Sequence, residues 1–135
     1  MAVGTANTMK DVSAPPVRQP WAWAIVHGGK DVENRSWRTS HRGPLCIHAG
    51  RAFAHDAYPK VLDLSTRVPP DLESFDRGAL IGVVDLFDCV FDQSESDWAI
   101  PGAWHWLLRD ARPLETPIPC NGRLRLWHPA PMVDV

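Results

Sequence analysis

Ala79-Leu80-Ile81-Gly82-Val83-Val84-Asp85-Leu86-Phe87-Asp88-Cys89-Val90-Phe91 is the stretch that decides the fold of this 135-residue chain. Its β-branched and aromatic residues spell a strand. The stretch is apolar on both faces through Val84, which predicts a central rather than an edge strand. Gly82 marks a bend or a close approach, as at a barrel corner. The apolar part, roughly Ala79 to Leu86, is far short of a membrane span.

On the C-terminal side, Asp92 to Gly102 is a polar loop that contains Trp98, and Ala103–Leu108 is a strand. In that strand Trp104, Trp106 and Leu108 share one face, and His105 and Leu107 the other. Pro113 to Pro119 reads as a rigid crossing segment. Asn121-Gly122 is a hairpin signal, and Arg123–Trp127 alternates like a half-buried strand. On the N-terminal side, Leu45–Ala49 is a strand with Cys46 and His48 on one side and Leu45, Ile47 and Ala49 on the other. Arg51 to Tyr58 reads as a short helix ended by Pro59, and Ser65 to Arg77 as a loop with a helical turn. Pro20 opens a two-turn helix, Trp21–His27, which Gly28 and Gly29 stop. Lys30–Trp37 is extended. The sum is about five strands with short helices in the joins, so the expected fold is mainly β, a small, mostly antiparallel barrel, because closure removes sheet edges.

The chain has the length of one domain. Residues 1–17 read as a loose tail, with Pro16 to Arg18 able to lie against the domain, which is expected to span 18–135. The 14 Lys plus Arg against 16 Asp plus Glu give a formal charge of -2, which excludes a basic coat for nonspecific nucleic-acid binding but not a small basic cleft. The 3 cysteines, Cys46, Cys89 and Cys120, lack a CxxC spacing and fit a reducing, cytoplasmic setting. Cys46-x-His48 with His55 lacks a fourth ligand, so no metal is expected. Gly28-Gly29-Lys30 lacks the rest of a phosphate-loop signature, and no cofactor is expected.

The segment from Pro20 to Ala49 resembles the ASCH family, within the PUA-like superfamily. The resemblance rests on Pro20-Trp21, then Gly29-Lys30-x-x-Glu33-x-Arg35, Trp37, Arg42-Gly43 and His48-Ala49. Leu80–Val84, Trp104-His105-Trp106 and Gly122-Arg123-Leu124-x-Leu126-Trp127 continue it. It implies a PUA-like β-barrel with a helix-lined cleft. Members are linked to RNA, to coactivator and translation-associated roles, and in some branches to ribonuclease or modified-nucleoside hydrolase activity. The amidohydrolase branch carries Lys-x-x-Thr-x-Arg; Glu33 stands here at the Thr position, so that branch's nucleophile is absent.

Lys30, Glu33 and Arg35 are the first candidates. An extended backbone turns Glu33 and Arg35 the same way, as an exposed ion pair or as part of a cleft. In a cleft, Arg35 grips a phosphate while Glu33 orients it or a water. Lys30 is a point charge or a base; Arg35 pushes its pKa down and Glu33 pushes it up. His48 is the next candidate, polar on an otherwise apolar strand. His105 shares its ambiguity, and His27 is explained by the helix end. Trp37, Trp98 and Trp104 are candidate base-stacking platforms, whereas Trp21, Trp106 and Trp127 are expected to pack the core. Arg42 and Arg51 could extend a basic floor. The acidic loop 92–97 would repel phosphates if it closed the cleft, which favours a short ligand.

The leading expectation is that the cleft binds RNA, a nucleotide or a modified nucleoside through Lys30, Glu33, Arg35, Trp37, His48 and Trp98. The second is a metal-independent hydrolase, a ribonuclease or nucleoside amidohydrolase, with Lys30, Glu33 and His48 as catalytic groups. The third is a protein-interaction module with a vestigial pocket, hence a protein partner. No membrane partner is expected.

Overall fold

A computed structural model describes residues 15–120. The Asn121-Gly122 hairpin, the Arg123–Trp127 strand, Trp127 itself and the tail before residue 15 lie outside the described residues. The elements run β1 (Pro16–Gln19), α1 (Trp21–His27), β2 (Val32–Arg35), β3 (Gly43–Phe53), α2 (Tyr58–Leu64), β4 (Ala79–Phe91) and β5 (Trp104–Pro119). Single 3-10 turns stand at His55–Ala57 and Leu72–Ser74.

β4 has the bounds read from the sequence and lies at the centre of a five-stranded mixed sheet of order β1-β3-β4-β5-β2. β1 pairs parallel with β3, and the other pairings are antiparallel. The chain is therefore mainly β with short helices. The expected closed barrel is not formed by the described residues: β1 and β2 are the two edges, and no ladder pairs them. The sheet curls instead, until both edges flank one cleft, and a side chain spans the gap: Arg35 Nη2 on β2 donates to the Pro16 carbonyl on β1 at 2.9 Å. Pro16 and Val17 belong to the sheet, Val17 with 4% of its surface exposed.

The alternation of β3 divides the apolar residues as the sequence predicts. Leu45, Ile47 and Ala49 enter the main core with Ile25 and Val26 of α1, while Cys46 joins Leu80 and Val83 in a smaller cluster. α1 is nearly surrounded: Ala22, Ala24, Ile25 and Val26 are all buried, a wider face than the Trp21–Ala24–Ile25 stripe. It fits because Gly82 has no side chain. A Cβ there would stand 2.8 Å from both Val26 methyls and 2.9 Å from the Arg112 carbonyl. Gly82 is thus the close approach that the sequence signals.

Two segments differ from the sequence reading. Residues 51–53 extend β3, and the helix begins at Tyr58, where it was expected to end. Pro59 sits in its first turn, where the missing N–H has no helical partner to lose. Pro113–Pro119 is not a crossing segment but the end of β5. Its register against β4 slips between Leu80 and Gly82, and the residues looped out there include Pro117. A bulge accommodates a residue that cannot donate to the ladder. Among the described residues, no helix is long and apolar enough to cross a membrane.

Candidate functional site

The helix end positions the first candidate side chain. Gly29 has φ +84, a left-handed conformation that glycine adopts without strain, and the next amide, of Lys30, donates to Ala24 O at 3.0 Å. The chain thereby turns back under α1, and Lys30 is buried with 4% of its surface exposed. Its Nζ donates to the Val32 carbonyl and to Glu33 Oε1 at 3.3 Å, and lies 5.3 Å from the Trp21 ring centroid.

β2 supplies the next two groups. Glu33 and Arg35 share a face of the extended strand, as the spacing predicts. Glu33 Oε2 stands 2.8 Å from Arg35 Nε, so one buried carboxylate bridges two cations. Burial drives the Lys30 ammonium below its ordinary pKa; Glu33 opposes this, by charge and by hydrogen bond, while Arg35 and Lys60 push the same way as burial. The balance that the sequence leaves open is thus settled by desolvation.

These groups floor a cleft of about 330 Å³ at the seam of the sheet. β1 provides one wall through Pro16, Val17 and Arg18, β2 the other through Glu33, Asn34 and Arg35, and Trp21 and Ile100 close the ends. Ile100 is held by β2: Asn34 Oδ1 accepts from its amide at 2.9 Å, and Asn34 Nδ2 donates to Trp98 O at 3.0 Å. The acidic part of that loop turns elsewhere; Ser96 Oγ donates to Asp31 Oδ1 at 2.5 Å, and no carboxylate of residues 92–97 lines the cleft.

Lys30, Glu33 and Arg35 are brought together; the other candidates are placed apart from them. Trp37 packs edge-on against Trp106, centroids 4.6 Å apart, and its carbonyl accepts from Trp106 Nε1 at 3.2 Å. Trp98 is buried against Ala24, Val32 and Val61, edge-on to Trp21 at 6.3 Å, so its faces are taken by protein. Trp104 packs on Phe91. His48 shares the Cys46 face of β3, is 1% exposed and is absent from the cleft wall. Burial lowers its pKa, with Arg51 adding to this and a hydrogen bond with the Cys120 backbone opposing it.

His105 is a loop clamp. Its Nδ1 accepts from the Ser94 amide at 3.1 Å, which leaves Nε2–H to donate to Ile100 O at 2.8 Å. Arg42 faces Asp88 at 3.6 Å, and Arg51 packs against Gly78. Burial pushes the Cys46 thiol up to about 12, so it is inert at neutral pH. Among the described residues no cluster of metal-ligating side chains occurs.

The sequence reading misses Arg18, Asn34 and Ile100, and assigns Trp21 to the core. A partial signal exists for Arg18: its neighbours Val17 and Gln19 are both buried, so Arg18 must face outward from a short strand. Trp21 lies in the first turn of α1, beside the chain's entry into the helix, and is only half-buried.

Fold and site together define a small, mainly β protein with an ion-paired cleft where the two edges of its curled sheet meet. The chain belongs to the ASCH domain family, whose pattern matches residues 16–117. It is 30% identical over 126 residues to Activating signal cointegrator 1 of Homo sapiens, and 29% identical over 126 residues to the Mus musculus protein. Each match covers 82% of this chain but 21% of the relative, so the chain spans about a fifth of their length.

Proposed function

We propose that the seam cleft binds a nucleotide, free or at the end of a single-stranded RNA. The observation that carries this reading is the Lys30–Glu33–Arg35 chain on the floor of a cleft of about 330 Å³, a volume in the range of small-ligand sites. Arg35 spends Nε on Glu33 and Nη2 on Pro16, and Nη1 remains for a phosphate oxygen. Arg18 stands on the opposite wall with no ion-pair partner among the described residues and completes an anion clamp. The partly exposed Trp21 ring offers the base an apolar contact. Family membership and the likeness to a cointegrator fit a recognition role, and they leave the bound molecule to be found.

Binding is favoured over hydrolysis because His48, the third group that RNA cleavage would enlist, stands outside the cleft. The test is calorimetric titration of adenosine 5′-monophosphate and of a short single-stranded RNA, with the mixtures analysed for products. Wild type is expected to bind without turnover, and Arg35→Ala to weaken binding roughly tenfold, the loss of about 1.4 kcal/mol. Absence of binding to both ligands defeats the reading. Product formation that disappears in Lys30→Met puts the hydrolase in its place.

A further inference from the structure

Beyond the Trp21 end of the seam cleft lies a second, larger hollow of about 570 Å³. The two share Arg18, Trp21 and Ile100, so they are halves of one groove with a common threshold. The far half is built from the end of β3, the 3-10 turn after it and α2. Its aromatic wall is Phe53, half-buried, with the His55 ring tilted against it at 4.8 Å. Its charged groups are Lys60 and Asp56, with Arg18 at the threshold. Neither Lys60 nor Arg18 has an ion-pair partner among the described residues.

We infer that the groove is a two-nucleotide site, and that its preferred ligand class is a single-stranded oligoribonucleotide rather than a mononucleotide. This rests on the reading of the seam cleft as a nucleotide site. The first nucleotide occupies the seam cleft. The phosphate that joins it to the second lies at the threshold, between Arg18 and Lys60. The second base stacks on the exposed His55 ring, which Phe53 backs while Arg77 covers Phe53 at 4.9 Å, and Asp56 accepts a hydrogen bond from that base or its ribose. Three features support the pairing of halves over two independent pockets: the shared wall, Arg18 at the crossing with Lys60 in the far half, neither ion-paired among the described residues, and an aromatic pair only in the hollow that lacks a buried ion pair. A single strand suits them, since stacking needs an unpaired base.

The experiment compares pA with pApA, both 5′-phosphorylated, by calorimetry at two salt concentrations, using the full chain and the variants Lys60→Ala and Arg18→Ala alongside Arg35→Ala. The inference expects pApA to bind wild type roughly tenfold or more tighter than pA, as one stacked base allows. The salt dependence for pApA should be steeper by about 0.7 in log–log slope per added phosphate contact. Lys60→Ala should remove most of the advantage of pApA and leave pA unchanged, whereas Arg35→Ala should weaken both. Equal affinity for pA and pApA, or an advantage that survives Lys60→Ala, overturns the two-nucleotide site and leaves the seam reading standing. Binding of neither ligand overturns both.

Discussion

Glu33 is the residue on which the site turns. Its two oxygens are divided between a buried ammonium and a guanidinium, and it has a tenth of its side-chain surface exposed. Removing its charge leaves Lys30 buried without an anion, whereas removing Lys30 leaves Glu33 paired to Arg35. Glu33→Gln is therefore expected to cost about 3 kcal/mol in urea denaturation, at the lower end for a broken buried pair, and Lys30→Met distinctly less. The double variant should recover much of the Glu33→Gln loss, because it buries no charge. Equal losses in the two single variants would show that the carboxylate is not what holds the ammonium in the fold.

Two histidines, His48 buried and His27 half-buried, give the molecule a pH dependence of definite sign. His27 and His48 both titrate below the ordinary 6.5, in each case chiefly because burial disfavours the charged ring. Between those lowered values and 6.5 the unfolded chain binds more protons than the folded one. Stability must then rise with pH across that window and fall on acidification through it. A series of thermal midpoints from below that window to neutral pH should show the fall, and His48→Gln should flatten its slope. A slope unchanged in His48→Gln would remove His48 from the account.

At the scale of elements, the tightest fit is α1 against β4. Gly82→Ala would drive a methyl into both Val26 methyls and the Arg112 carbonyl. One of these neighbours is backbone and cannot rotate aside, so the expected loss is about 1–3 kcal/mol in denaturant unfolding. Val26→Ala in the same chain should relieve only part of it. β4 itself is legible in the sequence because two-sided burial writes an apolar run, and α1 because Pro20 and Gly28-Gly29 mark both ends. The loop 92–102 is not legible. Its polarity suggests an exposed Trp98, yet Asn34, far off in sequence, and His105, just beyond the loop, tie it down until that ring is buried. Likewise Lys30, Glu33 and Arg35 are found by spacing along one strand, while Arg18, Ile100 and Lys60 come from other elements and carry no local signature. Pro113–Pro119 misleads for a related reason: prolines argue against a ladder, and only the register shows a bulge absorbing Pro117 while Pro113 and Pro119 stay in line with β4.

Across the described residues the molecule is a curled sheet whose seam is bridged by the Arg35 side chain instead of a ladder. A barrel would spend the edge donors and acceptors of β1 and β2 on each other; here Arg35 bridges them, and the gap it spans is the seam cleft. Stability of the seam and occupancy of the cleft are thus coupled. Anything that binds both walls stabilises the closed arrangement, by about 2.7 kcal/mol at a hundredfold excess over Kd. Hydrogen exchange reads this by element. Arg35→Ala is expected to speed exchange of the β1 amides, whose strand is four residues long and paired on one side only, and to leave the β3–β4 ladder at the wild-type rate. A single-stranded oligoribonucleotide added to wild type should slow exchange in β1 and β2 together, and in Arg35→Ala should fail to restore β1. Protection confined to β2 would mean that the ligand rests on one wall, and that the open seam is a feature of the fold without a part in recognition.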